Sequence, residues 1–371
     1  MKISILKYGT LDSKGLKKPT HPDLYFLKRL SKGNRLQIIN FSEKNAVLRC
    51  KNIEIINTKL AQNKVFSQLH QILLFSRLAK FRPETILAFG DGSSFILPWI
   101  FSIIFRKKVI YLVAGEINQR HLRKSPFYRV FIKAISIILK SKGAVAILAI
   151  SNPVKQQIIG MGVDISKVYK YDYEYPNYFL DMFNKPLIKR KRDTKQLRLL
   201  FIGRLTKEKG VFDIIEIAKG LRGQNFKFTL IGDGEAEGDI QRLIKTNMLT
   251  REVVLIGKIK HSRIPAYLLE SDLLLFPTHH EGLGLVVLEA ILAGRPVIAS
   301  RTGGIVDLIR DNREGLLLNP GDIEGFRNAI IRLSDKRVYS KMQRNILKRR
   351  DKITNPSLPL FRLVKGIIEN L

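Results

Sequence analysis

The chain has 371 residues, of which 45% are hydrophobic and 26% charged. Those proportions exclude global disorder, and the length implies two or three domains. Its charge is less ordinary. The chain carries 65 Lys and Arg against 32 Asp and Glu, a formal +33, and residues 1–200 hold 37 basic and 12 acidic side chains of that total. The excess therefore sits in one half, whose expected partner is a polyanion or an anionic membrane surface. A single cysteine, Cys50, excludes an intramolecular disulfide framework and a Cys-based zinc site, and fits a reducing cytoplasm. Residues 1–7 are charged too early for a signal peptide. The most apolar uncharged stretch, residues 92–105, is 14 residues long and contains Pro98, short of the roughly 20 needed to span a bilayer.

The predicted elements alternate. In the first half, β-rich runs over 2–6, 36–41, 53–57, 85–89, 109–114, 145–150 and 168–171 are separated by longer amphipathic stretches, such as 64–80. This alternation argues for a parallel sheet covered on both faces. Residues 186–196 read as a basic linker, where Pro186 and low apolar content oppose a packed element. Alternation then restarts with runs over 197–203, 226–232, 253–257, 273–277, 296–300 and 315–319. The fold class is α/β, two doubly wound domains facing across a cleft. The expected divisions are 1–185, the linker 186–196, 197–349, and a tail 350–371 whose helical spacing suggests docking on the first domain. No short-period repeat or low-complexity tract is visible.

Three loops in the second half carry chemistry. After the strand ending at Gly203, a basic loop with Arg204 and Lys209 opens a helix at Gly210. In an open α/β sheet, ligands bind at the carboxyl ends of strands, near helix N-termini. Two cations there can neutralise a diphosphate that gains charge as it leaves. The bland reading is two solvated surface cations. The second loop follows Pro277 and carries Thr278, His279, His280, Glu281, Gly282, Leu283 and Gly284 before an apolar helix that contains Glu289. Its glycines let backbone N–H groups approach an anion. Eight residues of helix would separate Glu281 from Glu289 by about 12 Å, the reach from a sugar ring across a diphosphate to a ribose. Each carboxylate could accept from a pair of hydroxyls. Alternatively, Glu289 is a partly exposed helix residue paired with an arginine. The third loop, with Gly303 and Gly304, is by itself only a turn, but beside the other two it completes an anion cradle.

Other motifs fail. There is no Walker-type phosphate loop. Residues 90–92 lack the third glycine of a dinucleotide fingerprint. Residues 233–238 mimic a calcium loop whose twelfth position is Ile244 rather than Glu. No Asp-x-Asp pair offers a metal–diphosphate clamp, and His279 with His280 is too little for a metal site.

Taken jointly, Gly203-Arg204-Leu205 with Glu208-Lys209-Gly210, Ile231-Gly232-Asp233-Gly234, Glu281 with Glu289, and Gly294-Arg295-Pro296 resemble the retaining glycosyltransferases of family 4, with the GT-B architecture. The resemblance runs from about residue 197 to 322. It implies a nucleotide-sugar donor held by the second domain, no metal and no other cofactor. Arg204 and Lys209 would contact the diphosphate, while Glu281 and the amides of Gly282, Leu283 and Gly284 would hold the sugar and phosphates. Glu289 would hold the ribose, with Gly203, Gly303 and Gly304 completing the donor site.

The first half matches the family much less well. Residues 151–155 and 162–163 resemble the segment after its last N-domain strand. The first loop carries only Gly9, and Gly115-Glu116 stands where many relatives place a histidine, with His121 five residues on. Glu116 is the candidate to orient or deprotonate the acceptor hydroxyl. The alternative is a loop carboxylate balancing Arg120 or Arg123.

No acidic residue lies between Ile117 and Val163, and a predicted helix over 126–140 places Arg129, Lys133 and Lys140 on one face. Such a helix can lie in a membrane interface, although a packing helix with a cationic stripe would look the same. The expected function is transfer of a sugar from a nucleotide-diphosphate sugar to a hydroxyl of a glycan or lipid-linked acceptor. It would take place at the cytoplasmic membrane face, in polysaccharide or glycolipid synthesis, with no nucleic acid as partner. A nucleotide-sugar epimerase or hydrolase on the same fold, and a non-catalytic nucleic-acid-binding protein, are the rivals.

Overall fold

Every apolar run read as a strand enters one of two sheets in the computed structural model. The structure describes all residues except 9–21, 43–45, 60–74, 91–92, 116, 118–126, 184–195, 355 and 357. Glu116, His121, Gly9, most of the basic linker and most of the helical pattern over 64–80 lie outside the described residues; of that pattern, a helix over 75–81 is described. The chain divides into two units. The first comprises Met1–Glu174 and Ser357–Leu371, the second Tyr175–Pro356.

The first unit is built on β1 (Lys2–Tyr8), β2 (Arg35–Ser42), β3 (Ala46–Cys50), β4 (Ile53–Lys59), β5 (Thr85–Gly90), β6 (Lys108–Val113), β7 (Ala144–Ala149) and β8 (Val168–Lys170). They form one sheet in the order β3-β4-β2-β1-β5-β6-β7-β8. All neighbours are parallel except β3 and β4, which make an antiparallel hairpin at the edge. The hairpin is absent from the sequence reading. Central strands such as β6 are buried along almost their whole length, which requires helices on both faces. From β5 to β8 each crossover steps in the same direction. The helices Ile96–Phe105, Phe127–Lys140 and Asn152–Gly160 therefore share one face of the sheet, because such connections are right-handed.

Helix Leu360–Glu369 closes this unit. It buries Leu360, Leu363 and Val364, and lies against helix Pro22–Leu30. Asp172 N–H donates to Leu358 O at 3.0 Å, and Leu360 N–H donates back to Asp172 O at 3.0 Å. The Arg29 guanidinium stands 4.2 Å from the Phe361 ring centroid and pairs with Glu174.

The second unit carries β9 (Leu197–Ile202), β10 (Phe226–Ile231), β11 (Val253–Gly257), β12 (Leu273–Phe276), β13 (Val297–Ser300) and β14 (Gly315–Leu318). Their order is β11-β10-β9-β12-β13-β14, all parallel. From β9 the strands are added outward first on one side (β10, β11) and then on the other (β12, β13, β14), so the crevice at the carboxyl ends of β9 and β12 is the topological switch point where such sheets bind ligands. Arg295 explains one motif in structural terms. It is buried, and its guanidinium donates to Leu268 O at 3.1 Å and Leu269 O at 2.7 Å, closing the free carbonyls of helix Ile264–Glu270. Among the described residues, no helix is long and apolar enough to cross a membrane.

Candidate active site

The loops after β9, β12 and β13 meet at this switch point. The first leaves β9 at Gly203, makes a turn over Lys207–Lys209 and enters helix Val211–Gly220 through Gly210, whose φ of +72° favours glycine. A Cβ on Gly210 would stand 2.0 Å from Pro277 O, so only glycine lets this loop lie against the end of β12. His279 N–H donates to Glu208 O at 2.8 Å, and the Thr278 hydroxyl bridges Glu208 O and His280 O at 3.2 and 2.9 Å. The third loop is held as closely. A Cβ on Gly303, at φ +50°, would fall 1.6 Å from Glu281 O, and Gly304 N–H donates to Gly282 O at 2.9 Å.

Lys209 and Glu281, which are 72 positions apart, meet at the centre. Lys209 Nζ donates to Glu281 Oε2 at 3.0 Å and to His280 O at 3.1 Å. Both side chains are largely covered, at 16% and 17% exposure. Glu281 Oε1 accepts from Gly282 N–H at 3.0 Å. An ammonium has three donors, so Lys209 keeps one for a ligand. Arg204, at the mouth of the same loop, is exposed and has no side-chain partner among the described residues.

The amides divide differently from the expectation. Gly203 N–H donates to Ile231 O at 3.0 Å, and those of Gly282 and Gly304 are engaged as described. Among the described residues, the amides of Leu283, Gly284 and Gly303 are left without a hydrogen-bond partner. Gly284, at φ +87°, starts helix Leu285–Leu292 and supplies no side-chain cap. The anion cradle is therefore narrower than the glycines suggested.

Glu289 also departs from the sequence reading. Helix begins only at Leu285, so a continuous helical separation of Glu281 and Glu289 does not apply. Nor does Glu289 pair with an arginine on a partly exposed face. It is 2% exposed, and its Oε1 accepts from Tyr175 Oη at 3.2 Å and lies 2.8 Å from His261 Nε2. Tyr175 and His261 each stack on Phe179, at centroid distances of 5.2 and 4.9 Å. Neither side chain was singled out from sequence. Sheet topology brings them together across 28 and 114 positions, and no local pattern records it. At the entrance, His279 Nε2 lies 2.9 Å from Asp213 Oδ2. Burial pushes the Asp213 carboxyl up, against the lowering pull of His279 and Lys207.

Two units, each built on a mainly parallel sheet and the second carrying cations, carboxylates and free amides at its switch point, are the components of the two-domain GT-B fold. Residues 184–352 match the family model described as "Glycosyl transferases group 1". The chain is 31% identical over 224 residues to the UDP-Gal:alpha-D-GlcNAc-diphosphoundecaprenol alpha-1,3-galactosyltransferase of Escherichia coli, covering 58% of this chain and 53% of that protein. It is 34% identical over 139 residues to an alpha-D-kanosaminyltransferase of Streptomyces kanamyceticus, covering 37% and 36%. The alignments thus span about a third to a half of these curated relatives. Solved structures extend the likeness to the whole chain. The Anabaena HepE complex with UDP and glucose superposes with TM-score 0.72 over 99% of each chain at 18% identity. The sucrose-phosphate synthase of Thermosynechococcus elongatus superposes with TM-score 0.77 over 100% and 98% at 17% identity. These likenesses show the fold.

Proposed function

We propose that this protein is a retaining, family 4 glycosyltransferase. In this reading it moves a sugar from a nucleotide-diphosphate sugar to a hydroxyl of a glycan or lipid-linked acceptor in surface polysaccharide or glycolipid synthesis. The observation that carries it is the Lys209–Glu281 pair at the switch point, flanked by the unpartnered Arg204 and the free amides of Leu283, Gly284 and Gly303. Arg204 and the remaining Lys209 donor neutralise the charge that gathers on the diphosphate as the bond to the sugar breaks. Glu281 is held in place by Lys209 and Gly282 N–H, and accepts from the sugar hydroxyls. Glu289 Oε2, to which no hydrogen bond runs among the described residues, accepts from the ribose. With two cations in this role, transfer needs no metal.

The relatives' names support the reading, since they include transferases to a diphosphoundecaprenol-linked sugar and of amylovoran biosynthesis. The neighbour structures hold UDP and UDP-glucose. Peripheral binding to the cytoplasmic membrane face rests on the basic first half and on helix Phe127–Lys140, which leaves Arg129, Lys133 and Lys140 exposed.

The test is thermal unfolding with a panel of nucleoside diphosphates and their sugar conjugates, with and without chelator. A ligand at 100 times its Kd adds about 2.7 kcal/mol of stability. A base-selective shift that chelator leaves intact, with acceptor-dependent transfer, meets the proposal. Turnover of the nucleotide sugar without any acceptor turns it into a hydrolase or epimerase.

A further inference from the structure

Helix Ile96–Phe105, Ile-Leu-Pro-Trp-Ile-Phe-Ser-Ile-Ile-Phe, contains no charged residue, yet only Pro98, Phe101 and Ser102 are buried. Ile103 and Ile104 are 58% and 59% exposed, and Ile96, Ile100 and Phe105 between 38% and 42%. Phe105 packs in part against Phe101 and Phe75, at centroid distances of 4.5 and 5.8 Å, but the four isoleucines form with it an apolar patch that a protein surface rarely carries without a partner. Helix Phe127–Lys140 follows on the same face of the sheet, and the turn that it leads into lies against the first helix: a Cβ on Gly143 in that turn would stand 2.7 Å from Ser102 Oγ. It adds Val130 and Ile137, 66% and 57% exposed, between Arg129, Lys133 and Lys140. Arg106, in the left-handed conformation that ends the first helix, is exposed there and is followed by Lys107, while the next cation, Lys108, donates to Leu371 O.

We infer that helix Ile96–Phe105 is a lipid-inserting wedge that seats the first unit in an anionic bilayer. Ten residues of helix are about 15 Å long, half the hydrocarbon thickness, so the helix can dip into a leaflet and cannot span it. The cationic rim selects the occupant. Anionic headgroups complement it, whereas a second copy of this chain would bring the same excess of positive charge against it. The inference rests on the peripheral-membrane part of the proposed function and not on the donor site. It also alters the physics of attachment. Charge attraction alone is screened by salt, and apolar insertion is not.

The full-length protein is sedimented with vesicles of 30% phosphatidylglycerol in phosphatidylcholine, at low salt and in 0.5 M NaCl. Wild type is expected to stay bound in high salt, and Ile103→Asp/Ile104→Asp to lose at least tenfold in partitioning there. Ile331→Asp, an exposed apolar position in the second unit, is expected to bind like wild type. Equal high-salt binding by the double variant and wild type overturns the wedge. Complete release of wild type by salt overturns insertion but leaves an electrostatic membrane partner. No binding at any salt overturns both. A lipid-free dimer that the double variant converts to monomer assigns the patch to self-association and overturns the inference. The nucleoside-diphosphate thermal shift reads the second unit separately and is expected to be unchanged in the double variant. If that shift is absent from wild type too, the donor-site reading fails while the wedge stands.

Discussion

Replacing Lys209 by Met keeps most of its apolar stem and removes one charge with three donors. In the folded protein that deletes the 3.0 Å bond to Glu281 and the 3.1 Å bond to His280 O. Leaving a covered carboxylate without its partner costs about 1–3 kcal/mol. Glu281 keeps the Gly282 N–H and some access to water, so the lower half of that range applies. For a domain of this size, about 1 kcal/mol is roughly 2–4 °C in Tm, a modest shift in a protein that stays folded. The effect on transfer is far larger. Removing one preorganised donor from a charge-developing site costs roughly 10²–10³ in kcat. Because Glu281 depends on Lys209 for its position, Lys209→Met/Glu281→Gln should lose much less than the product of the two single losses. The assay is initial-rate transfer from the nucleotide sugar identified by thermal shift, alongside melting curves for all four proteins. A Lys209→Met enzyme within twofold of wild-type kcat, or strictly additive losses, would refute the donor-site assignment.

Three further outcomes are expected. Gly303→Ala places a methyl 1.6 Å from Glu281 O at a left-handed φ, and should destabilise by about 2 kcal/mol or more and weaken nucleotide binding, read by melting and by titration. His261→Ala removes one of the two groups on Glu289 Oε1, and is expected to raise KM for the nucleotide sugar about three- to tenfold with a smaller change in kcat; equal loss in both would contradict a positioning role. Glu314 is fully buried, and burial works to raise its carboxyl, but hydrogen bonds from Arg310 and the charge of Arg349 outweigh it and hold the group below its usual value of 4.5. Its stabilising contribution is therefore present above that value and lost as pH falls through the lowered one. Glu314→Gln should cost about 1–3 kcal/mol near neutrality, with the gap to wild type closing in acid denaturation series.

How much was legible follows from the kind of signal each element left. β12 is apolar throughout and β9 is apolar apart from Arg198, and Pro277 and Gly203 follow them directly, so both strands and the loops beyond them could be placed from sequence. β3 could not. It is a short edge strand whose Ala-Val-Leu-Arg-Cys has neither a long apolar run nor clean alternation, and its place comes from pairing with β4. The Lys209–Glu281 pairing was only implied by two loops at one sheet edge. The cover over Glu289 left no trace, since Tyr175, Phe179 and His261 become neighbours only once the second unit is assembled. The engaged amides of Gly203 and Gly304 were hidden for a related reason: a glycine motif marks close approach and does not say what approaches.

The first unit is not one piece of chain. Its closing helix, Leu360–Glu369, is synthesised after the entire second unit, and Arg29 must wait for Phe361. On the ribosome the second unit can therefore complete its core while the first still lacks a wall, with Asp172 short of its Leu358 and Leu360 partners. A nascent or truncated chain ending near residue 356 would display the surface that Leu360, Leu363 and Val364 cover, a site for holdase chaperones and proteases. The same discontinuity gives engineers a handle: a peptide of residues 357–371 supplied in trans should complete the shortened protein, much as a split reporter is completed by its missing segment.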